Sequence, residues 1–159
     1  MTGVEPGLRA GTGTGIGTGA DPVPGWSEAV AAAEGTLMDP GAFVRLREWG
    51  GDVLLGKMVA LFHENGPLRM QEIEEALAEG DASRIERSAH TLKSSAGNLG
   101  AERLRRLCQL MEDAGEEGRV DAARAFAPLL REAYAQTIRA LDLSRRPLPD
   151  EAAPAAEAP

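Results

Sequence analysis

The chain has 159 residues, 43% of them apolar and 26% charged, and its 25 acidic and 17 basic side chains give a formal net charge of -8. Such a composition is typical of one globular domain with tails. Acidic residues flank both basic clusters, Arg103, Arg105 and Arg106 and the pair Arg145 and Arg146, so we expect no nucleic-acid partner. Because the sequence has no run of about 18 apolar residues and no signal-peptide pattern, we also expect a cytoplasmic protein without a membrane partner.

Both ends of the sequence have the composition of flexible tails. Residues 1–35 are rich in glycine, threonine and proline, and residues 144–159 in proline, alanine and glutamate. Because neither segment carries enough apolar surface to offset the entropy of ordering, we predict disordered tails around a folded part at residues 36–143. A short docked helix at Trp26 and Ala31 to Ala33 remains an alternative. The glycine run from Gly11 to Gly19 lacks the context of a phosphate-binding loop and is interpreted as a linker.

Glycine, proline and capping residues divide the folded part into helices. Asp39-Pro40 opens a short helix that ends at Gly50-Gly51. Asp52 is expected to cap the next segment, which runs to residue 79 as one helix kinked at Gly66-Pro67 or as two helices.

The remaining segments are amphipathic at helical spacing. Asp81 is expected to cap a third segment, and a fourth begins after Gly100. The last segment starts at about Val120, and a kink is expected at Pro128. No segment shows the alternation of strands, so the predicted fold class is all-α, an antiparallel four-helix bundle with a short extra N-terminal helix.

The third segment carries the residue with the most distinctive position. At 100° per residue from Ile85, its apolar stripe lies within about 40° of zero, whereas His90 falls at about 140° and points away from the core. Since imidazole is mostly neutral near pH 7, a ring nitrogen is free to attack phosphorus. Lys93, one turn along, would compensate the charge of a bound phosphoryl group. The small residues from Ser94 to Gly97 let another protein come close.

These residues resemble a known signature. The matching stretch is Ala89-His-Thr-Leu-Lys-Ser-Ser-Ala-Gly-Asn-Leu-Gly-Ala101, with Leu104 and Leu107-Cys-Gln-Leu-Met-Glu112 after it. This stretch closely resembles the signature of the histidine phosphotransfer (HPt) domain. Three further segments also resemble the family's pattern: Gly50-Gly-Asp52, Leu61-Phe62 and Ala76-Leu-Ala-Glu-Gly-Asp81. The resemblance implies a four-helix bundle in which His90 is phosphorylated and Lys93 stabilises the phosphoryl group. The family shuttles phosphoryl groups between aspartates of receiver domains in multistep phosphorelays and has no ATP site of its own.

One position departs from the family's pattern. Directly after the lysine the family usually has glycine, and this chain has Ser94. The hydroxyl either bonds a phosphoryl oxygen or narrows the range of receivers that dock. Because serine is still small, we expect a tuned but working site.

The first functional hypothesis is a freestanding phosphocarrier rather than an enzyme. Its expected partners are response-regulator receiver domains and a hybrid sensor kinase, docking around Glu86, Arg87, Ser94 and Gly97. No cofactor of its own is expected, since Mg²⁺ belongs to the receiver. We expect a monomer, and, because the sequence starts at Met1 without a kinase or receiver segment, a separate polypeptide.

Two other functions stay open. One is a helical interaction module that binds receivers or another partner and leaves His90 unphosphorylated. The other, ranked last, is an enzyme with His90 as general base. No carboxylate pair, nucleophilic serine or cofactor loop is placed to complete such a site.

Other chemically interesting residues have simpler interpretations. His63, beside Glu64, is expected near a helix end as a structural residue, and two distant histidines make no metal site. Cys108 lies on an apolar stripe and is predicted to be a buried small hydrophobe. Gln109 and Glu112 either project toward the His90 helix and orient its imidazole or are plain solvated residues. Arg87, Arg103 and Arg105 either form a docking rim or are only solvated.

Overall fold

The computed structural model describes residues 21–145 of the chain, and residues 1–20 and 146–159, which hold most of the two predicted tails, lie outside it. The helices are α1 (Trp26–Glu34), α2 (Ala42–Glu79), α3 (Ala82–Asn98), α4 (Glu102–Glu116) and α5 (Val120–Ser144). No strand occurs between residues 21 and 145, and the predicted all-α class is confirmed. None of these helices is both long and apolar enough to cross a membrane.

Helices α2 to α5 form the predicted bundle. Each packs on two neighbours, in the order α2, α3, α4, α5 and back to α2. The connections at residues 80–81, 99–101 and 117–119 are so short that consecutive helices must run antiparallel. The interior is filled by fully buried aliphatic and aromatic side chains, among them Ile73, Ile85, Leu92, Leu104, Leu107, Met111, Phe126, Leu130 and Leu141.

Helix α1 corrects the predicted boundary of the N-terminal tail. Residues 26–34 are helical and pack on α4 and α5. Ala29 and Ala32 are one turn apart and are buried, because their small side chains let α1 lie close to the bundle. Trp26 packs partly buried against the same core. A stretch that looked too poor in apolar surface therefore orders by close packing of alanine. At the other end, α5 extends one residue past the predicted boundary at 143.

Helix α2 is broken where the sequence predicted a helix end. Gly50 and Gly51 have non-helical backbone angles, and Gly51 adopts φ 65 and ψ -169, a conformation that side chains with a Cβ avoid. The preceding segment has Gly41 as its N-cap, without a side-chain cap. Asp39 is therefore not the cap that was predicted; its Oδ1 accepts a 2.9 Å hydrogen bond from the Gly41 amide in the turn before the helix. Asp52 does not make the predicted cap; its carboxylate instead accepts a 2.8 Å hydrogen bond from Arg47 across the break.

The two internal prolines do not end their helices. Helix α2 continues through Pro67 to Glu79, so the segment at 52–79 is one helix, and α5 continues through Pro128. At Pro67 the neighbouring residue explains the tolerance: Gly66 is buried, and a Cβ there would lie 2.6 Å from the Tyr134 hydroxyl. The close approach of α5 holds α2 together where proline removes one backbone hydrogen bond.

Helix α3 forms as predicted and lies very close to α4. Asp81 is its N-cap, accepting a 3.0 Å hydrogen bond from the Arg84 amide. Gly115 of α4 permits the close approach, because a Cβ on it would lie 2.7 Å from the backbone nitrogen of Glu86. This contact sets the antiparallel register in which the next turns of the two helices face each other.

Candidate functional site

The imidazole of His90 projects from the middle of α3. Its side chain is 60% exposed, while Ala89 beside it is fully buried. His90 therefore points away from the core, as its angle on the helix predicted. A nucleophile at this position is open to another macromolecule and has no cleft of its own.

Glu112 of α4 lies opposite His90. Its Oε1 is 2.9 Å from Nδ1 of the imidazole, and its side chain is only 16% exposed. The register set at Gly115 brings it there, because Glu112 lies three residues before Gly115 and His90 four residues after Glu86. Of the two interpretations left open for Glu112, contact with the His90 ring is the one that the geometry supports.

The second oxygen of Glu112 binds Lys93. The ammonium nitrogen of Lys93 lies 2.5 Å from Glu112 Oε2 and donates to Oε1 of Gln109 at 3.1 Å. Gln109 in turn donates to Asp113. Lys93 is therefore held on α4 beside His90. One carboxylate joins the predicted nucleophile and the predicted phosphate-stabilising residue.

The charge of Glu112 determines which ring nitrogen is available. Partial burial acts to raise the pKa of Glu112, but the hydrogen bonds and positive charges of Lys93 and His90 outweigh it and keep the pKa below the usual range for glutamate. An ionised carboxylate only accepts hydrogen bonds, so Nδ1 of His90 must be the donor. In the neutral ring, Nε2 then carries the lone pair and faces away from Glu112.

The hydroxyl of Ser94 is turned onto its own helix. It donates to the backbone carbonyl of His90 at 3.1 Å, so it adds little height to the surface around the imidazole. Ser94 and Gly97 are exposed on α3, as is Arg87, whose guanidinium donates to Ser83. Glu86 is half-buried, because its backbone meets Gly115. The predicted docking residues thus lie along one helix around His90, and their role stays a prediction.

A groove opens on the other side of α3, toward α2. It has a volume of about 430 Å³ and is lined by apolar side chains such as Met58 and Leu61, by the hydroxyls of Thr91 and Ser95, and by the polar side chain of Arg69. None of the docking residues predicted from the sequence lines this groove. Leu61 of α2 is 52% exposed at this groove. Its exposure could not be predicted from the sequence, because it depends on how α2 and α3 lie side by side.

The remaining candidates lie elsewhere. His63 is not near a helix end, because α2 continues to Glu79; its Nε2 lies 3.1 Å from an oxygen of Asp142 in α5. Cys108 is fully buried, as predicted, and burial raises the pKa of its thiol above the ordinary range. Between residues 21 and 145, no three His, Cys, Asp or Glu side chains form a group that could hold a metal ion.

Comparison with known proteins assigns the family. Residues 57–140 match the model of the Hpt domain, and these matched residues make up more than half of the chain. The chain belongs to the Hpt domain family. The fold resembles the crystal structure of histidine-containing phosphotransfer protein B from Pseudomonas aeruginosa PAO1, with a TM-score of 0.66 and 22% identity over 70% of this chain and 96% of that one. No curated protein sequence matches the chain significantly.

Membership of the Hpt family defines the class of activity. Hpt domains take part in histidine phosphotransfer in two-component phosphorelays, interact with receiver domains of response regulators, and are phosphocarriers rather than catalysts. The matched residues include α3, α4 and most of α5. Helix α1 and the segment before the break in α2 lie outside the Hpt match.

Proposed function

We propose that this Hpt domain is a phosphocarrier in which His90 receives a phosphoryl group from a receiver aspartate and passes it to another. The observation that carries the proposal is the contact between Glu112 and Nδ1 of an exposed imidazole. It leaves Nε2 as the free nucleophilic atom on a surface that a receiver can reach.

The chemical step is an exchange of one phosphorus bond for another. The Nε2 lone pair of His90 attacks the phosphorus of the aspartyl phosphate, and the bond from phosphorus to the aspartyl oxygen breaks. The bonding pair leaves with the partner's carboxylate, so no proton has to be transferred from a solvent molecule. The ring acquires positive charge while Nδ1–H points at Glu112, whose negative charge stabilises the product.

Lys93 compensates the charge of the transferred group. A phosphoryl group brings close to two negative charges to Nε2, and the Lys93 ammonium is held nearby on Glu112. We infer that Lys93 exchanges this carboxylate contact for a phosphoryl oxygen after transfer. Because the ammonium is already paired before transfer, the phosphoryl group gains only part of a new ion pair and stays transferable in both directions.

The partner supplies the rest of the machinery. The acidic pocket of the receiver and its Mg²⁺ align the phosphoryl group, and this chain contributes the nucleophile and one compensating charge. The proposed partners are the receiver domain of a hybrid sensor kinase on one side and of a response regulator on the other. The proposed docking surface centres on His90 and includes Arg87, Ser94 and Gly97, with the groove between α2 and α3 at its edge.

The test is phosphoryl transfer from a panel of receiver domains. Each receiver, from the organism that encodes this chain, is phosphorylated with acetyl phosphate in Mg²⁺, freed of donor and mixed with the chain. The product is followed by intact mass as an acid-labile, alkali-stable adduct. The sequence has two histidines, so His90→Gln and His63→Gln form a matched pair of variants.

The expected result is one phosphoryl group on the wild type and on His63→Gln, and none on His90→Gln. Phosphorus NMR of the product should show substitution at Nε2. An adduct that survives in His90→Gln would overturn the assignment of the acceptor. A chain that binds a receiver with equal affinity in wild type and His90→Gln, and never gains a phosphoryl group, would instead be an interaction module.

A further inference from the structure

Exposed apolar side chains are concentrated on one helix. Of the large apolar side chains that are well exposed between residues 21 and 145, all but Leu143 of α5 belong to α2. The set on α2 is Val44, Trp49, Val53, Leu61 and Leu68. Trp49 is the most exposed of them, at 78%. An exposed tryptophan leaves a large apolar surface in water, and tryptophan is one of the side chains that are enriched at the centres of protein interfaces.

Trp49 lies beside the helix that carries the candidate acceptor. Together with Leu46, Leu54 and Met58 it lines a groove of about 400 Å³ whose other wall includes Gly97 and Asn98 of α3. Gly97 is on the His90 face of α3, about 10 Å further along the helix axis. Gly97 has no side chain of its own, and of the neighbouring groups only the flexible Arg105 side chain of α4 lies against this position.

The break in α2 gives Trp49 this position. Gly51 has a backbone conformation that only glycine adopts readily, and a Cβ on Gly50 would lie 2.6 Å from Cβ of Leu54. Both glycines are therefore needed to end the first segment of α2 directly after Trp49. The Arg47 side chain bonds Asp52 across the break at 2.8 Å.

The segment before the break is fixed to the bundle. Leu46 and Ala42 are buried, and the Asp39 amide donates to the carbonyl of Gly100 in the α3–α4 connection at 2.7 Å. Trp49 is thus an apolar side chain on a backbone that is already ordered. Docking against it costs little additional conformational entropy.

We propose that Trp49 is an anchor residue for the receiver domain that exchanges phosphoryl groups with His90. The proposal rests on the proposed function and names the surface outside the matched Hpt residues that the partner uses. An interface of ordinary size covers about 800 Å² on each partner, roughly 30 Å across. A receiver whose aspartate sits over Nε2 of His90, and whose interface extends along α3 past Gly97, reaches the groove that the indole lines. The receiver should present an apolar side chain to the groove between Trp49 and Gly97.

The test separates docking from chemistry. Transfer from the fastest phosphorylated receiver of the panel is measured in single turnover against receiver concentration, for wild type, Trp49→Ala, Trp49→Phe and Val44→Ala. Val44 is the matched control, since it is 52% exposed on the same segment but does not line the groove. Circular dichroism checks that each variant keeps its helix content.

For Trp49→Ala, the concentration of receiver that gives half the maximal rate should rise about tenfold, and the rate at saturation should stay within twofold. Trp49→Phe should recover most of the affinity and Val44→Ala should match the wild type. Equal half-saturation for Trp49→Ala and wild type would overturn the anchor while leaving the phosphocarrier function intact. If the wild type itself accepts no phosphoryl group, the proposed function fails instead.

Fluorescence gives a second, independent readout. The chain has two tryptophans, so Trp26→Phe leaves Trp49 as the single reporter. Adding a receiver domain that lacks tryptophan should shift its emission to shorter wavelength as the indole leaves water. An unchanged spectrum at a receiver concentration that saturates transfer would contradict the proposal. If the emission of Trp26→Phe shifts with its own concentration in the absence of a receiver, and light scattering shows dimers, Trp49 instead belongs to a contact between two copies of this chain.

Discussion

The two sides of α3 differ in packing and in chemistry. Toward α4, the helix backbones are in contact at Gly115, and charged side chains are paired through Glu112. Toward α2, Ser88 bonds Glu72 and Arg84 pairs with Glu75 and Glu79 in the first half of α3, and a groove of about 430 Å³ opens beyond them. The hydroxyls of Thr91 and Ser95 on that side bond back to carbonyls of α3 itself and leave the groove open.

We propose that this difference separates the positioning of the proposed nucleophile, His90, from the recognition of the partner. A phosphoryl acceptor must hold one ring nitrogen in a fixed direction, which requires a rigid neighbour such as α4. A carrier that serves more than one receiver needs a surface with open space, which the groove on the α2 side provides. Changes on the α4 side should therefore alter stability and chemical rate, and changes on the α2 side should alter affinity.

The largest expected effect is on the α4 side, from Gly115→Ala. The new Cβ would lie 2.7 Å from the Glu86 nitrogen and 2.8 Å from the Ala82 carbonyl oxygen, so the two backbones must separate. We expect the free energy of unfolding in urea to fall by about 2 kcal/mol, although alanine favours helix over glycine.

Gly97→Ala is the matched control for this change. Its Cβ would lie 3.4 Å from the flexible Arg105 side chain, an ordinary contact. The free energy of unfolding should therefore stay the same or rise by up to about 1 kcal/mol. A Gly115→Ala variant as stable as Gly97→Ala would mean that the α3–α4 contact is not the rigid side of the helix.

Glu112→Gln should lower the rate of phosphoryl transfer about tenfold at saturating receiver, because a charged hydrogen bond to the developing imidazolium is worth about 1.4 kcal/mol more than a neutral one. The glutamine amide can also donate to Nδ1 and favour the wrong ring tautomer. Since the pKa of Glu112 lies below its usual range, the wild-type carboxylate is ionised throughout neutral pH.

Asp113→Asn is the companion variant. Asp113 is the next carboxylate on α4 and accepts a hydrogen bond from Gln109, at 2.7 Å, rather than from His90. We expect its transfer rate to remain within about twofold of wild type. If both variants lose rate equally, the effect belongs to the net charge of α4 and not to the His90 contact.

The fold could be predicted from the sequence because helix signals in this chain are local. Asp81 caps α3 as predicted, and the glycine pair at 50–51 breaks α2 where expected. The tail boundary at residue 35 was wrong, and α1 is the short docked helix that the sequence left as an alternative. The burial of Ala29 depends on packing against α4 and α5, which composition does not reveal. Of the two forms left open at Pro67, one kinked helix or two helices, the chain has one continuous helix, because tertiary packing can compensate one lost hydrogen bond.

The site was predictable only where it depends on one helix. The outward direction of His90 follows from its angle on α3, whereas the contact of Glu112 with Nδ1 depends on the register between α3 and α4. That register is set by a backbone contact at Gly115. In the sequence, Gly115 indicates only the end of a helix and not a contact with another helix. The groove beside Leu61 likewise needs two helices to exist.

On the α2 side, Leu61→Ala should weaken docking without changing the chemistry. Leu61 is 52% exposed at the groove, and burying its exposed half against a receiver is worth about 1 kcal/mol. The receiver concentration at half-maximal rate should therefore rise about fivefold, with an unchanged rate at saturation. Leu143→Ala, which removes the exposed leucine of α5, should have no effect. A lower rate at saturation for Leu61→Ala would contradict the expectation that changes on the α2 side of α3 affect only affinity.

The smallest effect is expected for Ser94→Gly, at the boundary between the two sides. The Ser94 hydroxyl bonds the His90 carbonyl, so its removal changes neither the Glu112 contact nor the shape of the groove. The free energy of unfolding should fall by about 0.5 kcal/mol, because glycine is a poorer helix former than serine. Transfer rates should stay within about threefold of wild type for each receiver in the panel. A total loss of transfer, or a gain of several orders of magnitude, would mean that this hydroxyl, and not the α4 carboxylate, controls the reactivity of His90.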